Sequence, residues 1–404
     1  MQYLCKPFVY MMRSIVINIL LPICFLFFIA DVEASVKVRT NDGELVSIEQ
    51  LADSSVVDSV PQNKAKAFFK KVGVFADNWF MRGADTNYIA LPKYRFRLAI
   101  NSEAGSVHTI LSGEHIPYYE NINCRFNSNV TPKLGLVLGF RNLQAGYSVD
   151  LFKGYSNFSL SLCQNAFGLE ILRRKTFYAN GYIDASSIEG LTNINAGDIG
   201  VTTFFLSAYF AFNRKRFSMP AAFNQSYIQR KSAGSVLAYV DFLYTDMMFA
   251  EKSYMVMTGG LHSFELYQVA LGVGYGYNYT PNKGKVLLHI SAAPLLVFFN
   301  RMFQTGDTRM VTDEKTMGFN LIFSRKIKPS SPVYLTGIVK AAVVWNINDR
   351  FSVAASAVCN NIRFRSHDTL YEADRKIDEK YNPYIDMSLM TWDWKMNIYL
   401  TVRF

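Results

Sequence analysis

The sequence predicts an all-β protein, a transmembrane antiparallel β-barrel of about 14 strands with 12 as the alternative count, behind a short N-terminal periplasmic helix. Three observations predict it: an export leader, a period-two alternation of apolar and polar residues from Lys93 onward, and a last strand with one wholly apolar face. Half of the 404 residues are hydrophobic and only 18% are charged. This composition excludes a disordered chain but allows a β-rich enzyme as well as a barrel, so the order of the residues has to decide.

Residues 1–34 have the features of a secretory signal peptide. Lys6 and Arg13 precede an apolar run over residues 15–30, and Ala34 supplies the small residue before the expected cleavage site. A retained transmembrane anchor is the alternative, but Pro22 interrupts the run, which falls short of the ~20 residues that a spanning helix needs. We therefore expect an exported chain.

Residues 35–92 form a separate N-terminal segment that we expect in the periplasm. Within residues 63–80, Phe68, Val72, Phe75 and Trp79 recur at helical spacing between lysines. The stretch is too short and too charged to span a membrane, so its apolar face should pack against another surface. A cap on the barrel is the favoured interpretation, and an independent helix on the membrane surface is the alternative.

Residues 93–404 alternate with the period of β-strands and form the predicted barrel. The stretch over residues 267–280 is the most informative, because apolar and aromatic residues occupy one face while Gly272, Gly274 and Gly276 occupy the other. Glycines weaken a strand of a soluble sheet but are tolerated toward a lumen that needs space. Tyrosines at one end of the apolar face indicate an aromatic girdle at the membrane interface.

The C-terminal strand over residues 391–404 gives the strongest indication. Every second residue from Trp392 to Phe404 is apolar, and the strand is longer than the ~5–6 residues typical of soluble sheets. It resembles the assembly strand of outer-membrane barrels, with Trp394, Tyr399 and Phe404 among its aromatic residues. We therefore expect localisation in the outer membrane of a Gram-negative bacterium. The expected partners are its lipids and the barrel-assembly machinery, with envelope proteins as further candidates and no nucleic acid.

The lengths of the connections test the strand count, because periplasmic turns are short and extracellular loops are long. The connection over residues 346–350 is short and that over residues 366–390 is long, as a periplasmic C-terminus requires. The long basic connection over residues 214–232 is the exception, because it falls on the periplasmic side. Three alternatives stay open for it: a constriction folded into the lumen, a contact with a periplasmic partner, or a solvated loop.

Two stretches resemble a known family. The first contains Arg82, Gly83, Asp85, Asn87 and Tyr88, and the second contains Phe217, Pro220, Ala221, Ala222, Gln225, Ser232, Gly234 and Ser235. Together with the Gly-Tyr-Gly-Tyr-Asn-Tyr run that ends at Tyr279, and with His289 and Pro294 after it, they resemble the domain-of-unknown-function family 4421 of Gram-negative outer-membrane β-barrel proteins. The resemblance covers most of the exported chain. It implies a barrel and no established activity.

No catalytic, cofactor-binding or metal-binding residue is predicted. The sequence contains no His-Glu-x-x-His motif, no Gly-x-Ser-x-Gly elbow and no Walker loop. His289 is interpreted as a hydrogen-bonded lumen residue, and Asp85 as a turn residue rather than a cation ligand. Cys124, Cys163 and Cys359 lack metal-ligand spacing, so we expect free thiols, with one disulfide as the alternative.

The polar residues of the predicted lumen face bear on function. The candidate lumen-lining residues are Arg95, Arg97, Arg141, Asp150, Asp241, His289, Lys340, Lys395 and Arg403. Their basic excess and the formal net charge of +10 favour anions in an open lumen, whereas pairwise neutralisation would indicate a filled interior. The sequence therefore supports a passive pore for small solutes, with anion preference as an option, or a structural barrel of an envelope complex. A lipid acyl hydrolase or transferase is a minor third alternative.

Overall fold

The computed structural model describes residues 37–39, 45–47, 71, 74–75, 77–115, 120–128, 130, 132–150, 156–185, 192–249, 261–307, 322–327, 329–331, 333–366 and 384–404. The predicted leader lies outside these residues. Two short strands, β1 (Lys37–Arg39) and β2 (Leu45–Ser47), pair antiparallel, and β3 (Ile89–Ala90) precedes the barrel. None of the helices in this part of the chain has the length and apolar character to cross a membrane.

The end of the predicted N-terminal helix is present, because residues 77–80 are helical. Of the predicted apolar face, however, Phe75 is 70% exposed and Trp79 is 38% exposed. The buried residue is Phe80, which joins an apolar cluster inside the barrel. Among the described residues the helix therefore docks through Phe80 rather than through Phe75 or Trp79, whereas Phe68 and Val72 of the predicted face lie outside the described residues.

Within the described residues, twelve strands pair antiparallel in a closed ring, so the ring has the lower of the two predicted counts. They are β4 (Phe96–His115), β6 (Lys133–Phe140), β7 (Leu143–Asp150), β8 (Ser156–Cys163), β9 (Phe167–Phe177), β12 (Ile199–Ala211), β14 (Ala233–Phe249), β15 (Leu261–Tyr279), β16 (Val286–Asp307), β18 (Tyr334–Asn346), β19 (Phe351–Arg365) and β20 (Tyr384–Arg403). The sequence pattern predicts two strands in this stretch, one beginning near residue 93 and one near residue 105, but the structure has the single strand β4. Its polar middle, where Glu103 lies, looks like a turn in the sequence but faces the lumen.

Two of the twelve strands, β7 and β8, belong to the wall in only one half of the barrel. The first half of β4 pairs with β6, and the second half pairs with β5 (Glu120–Asn127). β9 pairs with β8, and β10 (Asn180–Ala185), which follows β9, pairs with β5 and with β11 (Thr192–Asn193). The β7–β8 hairpin is therefore inserted into only one half of the wall. In the other half, β17 (Ile322–Ile327) pairs with β16. The strand count from the sequence assigns this strand-like stretch, residues 317–327, to an extracellular loop over residues 300–331, so the pairing extends the wall into that predicted loop.

The outer face of the ring is an apolar belt. Its exposed residues on β15 are Leu271, Val273, Tyr275, Tyr277 and Tyr279, the face that the alternation predicts. On β20 they are Trp392, Met396, Ile398, Leu400 and Val402. A soluble sheet would bury such a face, so the belt is the surface that contacts lipid.

Short connections gather at the end of the barrel that carries the C-terminus, which we call the turn end. They comprise residues 141–142, 164–166, 280–285 and 347–350. At this end Phe96 and Phe404 exchange two backbone hydrogen bonds of 3.1 Å, and their rings stack with centroids 6.3 Å apart. Phe404 therefore completes the seam between β20 and β4. The opposite end is called the loop end.

Candidate functional site

The connection between β12 and β14, residues 212–232, enters the lumen at the turn end, and we call it the plug. Its basic residues Arg214, Lys215, Arg216, Arg230 and Lys231 are exposed, whereas ten consecutive positions around its centre, residues 217–226, are buried except for the half-buried Phe223. A short helix, Pro220–Phe223, turns the chain inside the lumen. Of the three alternatives that the sequence leaves open for this connection, the structure has the one in which the connection folds into the lumen.

Apolar packing holds the plug against the inner face of the wall. Phe217 and Met219 belong to a buried cluster with barrel residues Leu237, Tyr239, Ala270, Ala293, Leu295, Val297 and Ile338. Ala221, Ala222 and Tyr227 belong to a second cluster with Leu287, Ala342, Val344 and Ala354. The apolar run after Met219 is the sequence signal for this burial, because a solvated turn would not contain it.

The two family-motif stretches meet at the plug. β13 (Ile228–Gln229) pairs with β3, the amide of Arg230 donates to the carbonyl of Tyr88 at 2.6 Å, and the amide of Asp85 donates to the carbonyl of Lys215 at 2.8 Å. The Asp85 carboxylate accepts from the amide of Asn87 at 2.9 Å, so Asp85 is the turn residue that its spacing predicts. Arg82 and Gly83 are exposed, and Ser232, Gly234 and Ser235 lead into β14.

Tyr227 ties the plug to two other parts of the turn end. Its hydroxyl accepts from Nδ2 of Asn142 at 2.6 Å and donates to the carbonyl of Phe80 at 2.9 Å. Burial raises the pKa of Tyr227, so the hydroxyl keeps the proton that it donates. A second tie is the hydroxyl of Ser352, which donates to Oε1 of Gln225 at 2.7 Å.

A hydrogen-bonded chain on the wall docks the plug. Nδ2 of Asn278 donates to the carbonyl of Ser218 at 2.8 Å and to Oε1 of Gln229 at 3.0 Å, so Oδ1 of Asn278 is the atom that faces Nδ1 of His289 at 2.7 Å. Nδ1 must therefore carry the imidazole proton. Nε2 then accepts from the hydroxyl of Ser291 at 2.9 Å. His289 lies in the lumen, as predicted, and contacts the plug rings.

Between the plug and the middle of the barrel lies a polar cavity with about 950 Å³ of empty space, part of it open to solvent. Charged residues of both signs line it, namely Glu103, Glu170, Lys340 and Lys395. Nζ of Lys340 lies 3.8 Å from Oε2 of Glu170. The cavity therefore offers both cationic and anionic contacts to a polar solute.

A cluster of buried charges lies where the β7–β8 hairpin ends within the wall. Nζ of Lys133 donates to Oδ1 of Asn157 at 3.0 Å, and Nδ2 of Asn157 donates to Oε1 of Glu103 at 2.5 Å. Arg174 forms an ion pair with Asp393 across the lumen. These side-chain contacts join strands whose backbones are not hydrogen-bonded to each other at this level of the barrel. No sequence pattern predicts them.

The loop end of the lumen is apolar. A buried cluster fills it, with Val107, Leu111, Phe126, Tyr178, Ile199, Leu243, Met247, Phe249, Phe264, Leu266, Met302, Ile362, Phe364 and Leu389 among its members. The described lumen therefore has three layers: plug, polar cavity and apolar cluster.

The predicted lumen-lining residues lie as follows. Buried inward-facing residues are Arg97, Arg141, Asp150, Asp241, His289, Lys340 and Arg403. Lys395 is half-buried at the cavity, and Arg95 lies just before β4, where it shares the carboxylate of Asp77 with Arg141. On β20, the strand predicted to act in assembly, Tyr399 lines the cavity and Trp394 is half-buried.

The described residues contain no group of three or more His, Cys, Asp or Glu side chains that could hold a metal ion. Cys124, Cys163 and Cys359 are free thiols, the first two buried. Fold and site together define a plugged transmembrane β-barrel.

The chain belongs to the family described as Domain of unknown function (DUF4421), whose family model matches residues 83–378, more than half of the chain. No curated protein matches it in sequence.

Among solved structures, the outer membrane protease OmpT from Escherichia coli is 8% identical with a TM-score of 0.34, over 78% of this chain and 97% of that one. A FadL homologue from Pseudomonas aeruginosa is 10% identical with a TM-score of 0.27, over 77% of this chain and 90% of that one. OprG from Pseudomonas aeruginosa is 9% identical with a TM-score of 0.28, over 78% of this chain and 100% of that one.

Proposed function

We propose that this protein is an outer-membrane barrel that is closed at rest, and that it passes small polar solutes when the plug leaves the lumen and the apolar cluster of the loop end parts. The plug carries the proposal, because a connection that should be a short periplasmic turn instead enters the lumen and is bonded to the wall. The turn end faces the periplasm, because the periplasmic turns of outer-membrane barrels are short. The polar cavity supports passage of polar solutes, since a purely structural core gains more stability from apolar filling.

Planar-bilayer recording of the refolded barrel tests the proposal. Wild-type protein should be almost silent, and Tyr227→Ala should open in discrete steps, because it removes the bonds to Phe80 and Asn142. Tyr275→Ala is the matched control, since Tyr275 is 54% exposed on the lipid face and should leave the recording unchanged. A wild-type barrel that conducts continuously contradicts the closed state.

A structural barrel of an envelope complex is the second candidate. The apolar filling of the loop end and the exposed basic residues of the plug favour it, because both fit a barrel that presents a fixed surface to an acidic periplasmic partner. Equal silence of wild type, Tyr227→Ala and Tyr275→Ala would reject passage and leave this role.

We assign the hydrogen-bonded side chains of Asn278, His289 and Ser291 to docking of the plug rather than to hydrolysis. It has the hydrogen bonds of a nucleophile and its base, but Phe217 and Phe223 cover the imidazole with ring centroids 6.1 Å and 5.1 Å away. The amide nitrogen of Asn278 is also bonded to the plug. Altered lipid acylation in a deletion strain would contradict this assignment.

A further inference from the structure

We propose that Arg173 and Lys175, on the outer face of β9, bind a phosphate group of a glycolipid in the outer leaflet of the membrane. The choice of leaflet rests on the proposed orientation of the barrel, in which the turn end faces the periplasm. No step of the proposed passage involves these two residues. Three features single them out: their side chains point away from the lumen, they lie where the apolar belt ends, and within the described residues no carboxylate is paired with them.

Arg173 and Lys175 point away from the lumen. Between them lies Arg174, which is 6% exposed and forms an ion pair with Asp393 inside the barrel. Because successive side chains of a strand lie on opposite faces, Arg173 and Lys175 lie on the lipid side, and both are exposed. A cation on the lipid side is costly in the middle of the membrane and nearly free of cost at the interface. Two cations on one strand therefore indicate that headgroups lie at their level.

The apolar belt ends at these two residues on the side of the loop end. The outward residues of β9 that precede them are apolar: Phe167, Leu169 and Ile171. The row of cross-strand partners that starts at Arg173 is aromatic: Phe204, Tyr244 and Tyr267. The row that starts at Lys175 is polar: Thr202, Asp246 and Glu265. A change from aromatic to charged residues is typical of a membrane interface, and both long side chains can extend to the headgroups there.

Aromatic rings rather than carboxylates surround the two cations. Phe158 and Phe204 are the partners of Arg173 on the two neighbouring strands, and Nζ of Lys175 lies 5.1 Å from the ring centroid of Phe177. The acidic residues of the polar row lie two and three strands from Lys175, which is about 10 Å or more at the usual strand spacing. The rings support the side chains without neutralising them, so an anionic headgroup has to supply the counter-charge.

A phosphate group suits this pair of donors. The guanidinium of Arg173 can donate two parallel hydrogen bonds to phosphate oxygens, and the ammonium of Lys175 adds a point charge. Residues two apart on one face of a strand are separated by about 7 Å, so both side chains can converge on one phosphate. In the outer leaflet of an outer membrane this phosphate belongs to a phosphorylated glycolipid.

Native mass spectrometry of the refolded barrel in detergent micelles tests the site, with bisphosphorylated lipid A as the probe. Wild type should bind one lipid A saturably, and lipid A without its two phosphates should bind at least about tenfold more weakly. The double variant Arg173→Gln/Lys175→Gln should weaken the binding of lipid A by about ten- to thirtyfold, the effect of two interfacial cations on an anionic lipid.

Lys283→Gln/Lys285→Gln is the matched control. It also removes two exposed lysine charges from positions two residues apart, but at the turn end. This control should bind lipid A like wild type. Inorganic phosphate in tenfold excess over lipid A should not displace the lipid.

Four results would overturn the proposal. They are equal binding of lipid A and its dephosphorylated form, equal binding by wild type and the β9 double variant, binding of phosphatidylglycerol as tight as that of lipid A, and displacement of lipid A by inorganic phosphate. The comparison of the two forms of lipid A uses wild type alone, so it decides even where a variant does not fold. Conductance is not measured, so failure of this experiment is distinct from failure of the proposed passage.

Discussion

Gly274 shows that the inward glycines of β15 are there for contact and not for open lumen space. A Cβ at this position would lie 2.5 Å from Cβ of Ala293 and 2.7 Å from its Cα. At Gly276 the added Cβ would meet Cζ of the plug residue Phe217 at 3.1 Å. The sequence alternation correctly predicts that these glycines face inward. Their small size is required by the close approach of β16 and of the plug, and not by open space in the lumen.

Gly274→Ala should therefore destabilise the barrel by about 2 kcal/mol or more, because the backbone of β16 has to move. Gly337→Ala is the matched control on β18, since its nearest atom, the carbonyl oxygen of Ala293, would be 3.6 Å away. That control should stay within about 0.5 kcal/mol of wild type in equilibrium urea unfolding. Equal stability of the two variants would contradict the close approach.

The plug is the element that most clearly separates what the sequence shows from what it does not. Its apolar run is visible in the sequence, but its partners are distant: Gln225 bonds to Ser352, and β13 pairs with β3. Strands of two residues are too short to show a period, and contacts across more than a hundred residues leave no local pattern.

Asn278→Asp tests the docking of the plug. A carboxylate would face the carbonyl of Ser218 and Oε1 of Gln229 without a proton to donate, which should cost about 2–4 kcal/mol in urea unfolding. Asn348→Asp is the matched control, because Oδ1 of Asn348 accepts from two backbone amides at 2.8 Å and an aspartate still accepts them. A loss confined to Asn278→Asp is expected, and equal stabilities would contradict the assigned amide orientation.

The β7–β8 hairpin makes a second element-scale prediction. Asn157→Leu removes the bridge between Lys133 and Glu103 and leaves two buried charges without it, so the free energy of unfolding should fall by about 2–3 kcal/mol. Ser159→Ala on the same strand should change it by less than about 1 kcal/mol. If Asn157→Leu unfolds at the same urea concentration as Ser159→Ala, the cluster does not hold the hairpin.

For the whole molecule, the alternation of residues predicts the ring and its lipid face, because contact with lipid selects hydrophobicity at every second position. It does not predict the filling of the lumen. Inward-facing residues pair with partners on distant strands, as Lys340 on β18 pairs with Glu170 on β9. Such pairing produces no periodic pattern in the sequence. The count of twelve also depends on β4 being one continuous strand. Polar residues are accommodated in the middle of this strand because they face the lumen.

We propose that residues 212–232, which enter the lumen, close the barrel. Hydrogen–deuterium exchange of the refolded protein measures this directly, with the turn over residues 281–284 at the same end as the internal reference. Amides of residues 217–229 should exchange far more slowly than those of the reference turn, at rates close to the barrel strands, because the plug is buried and bonded to the wall. Exchange of the plug as fast as the reference turn would contradict the closed barrel.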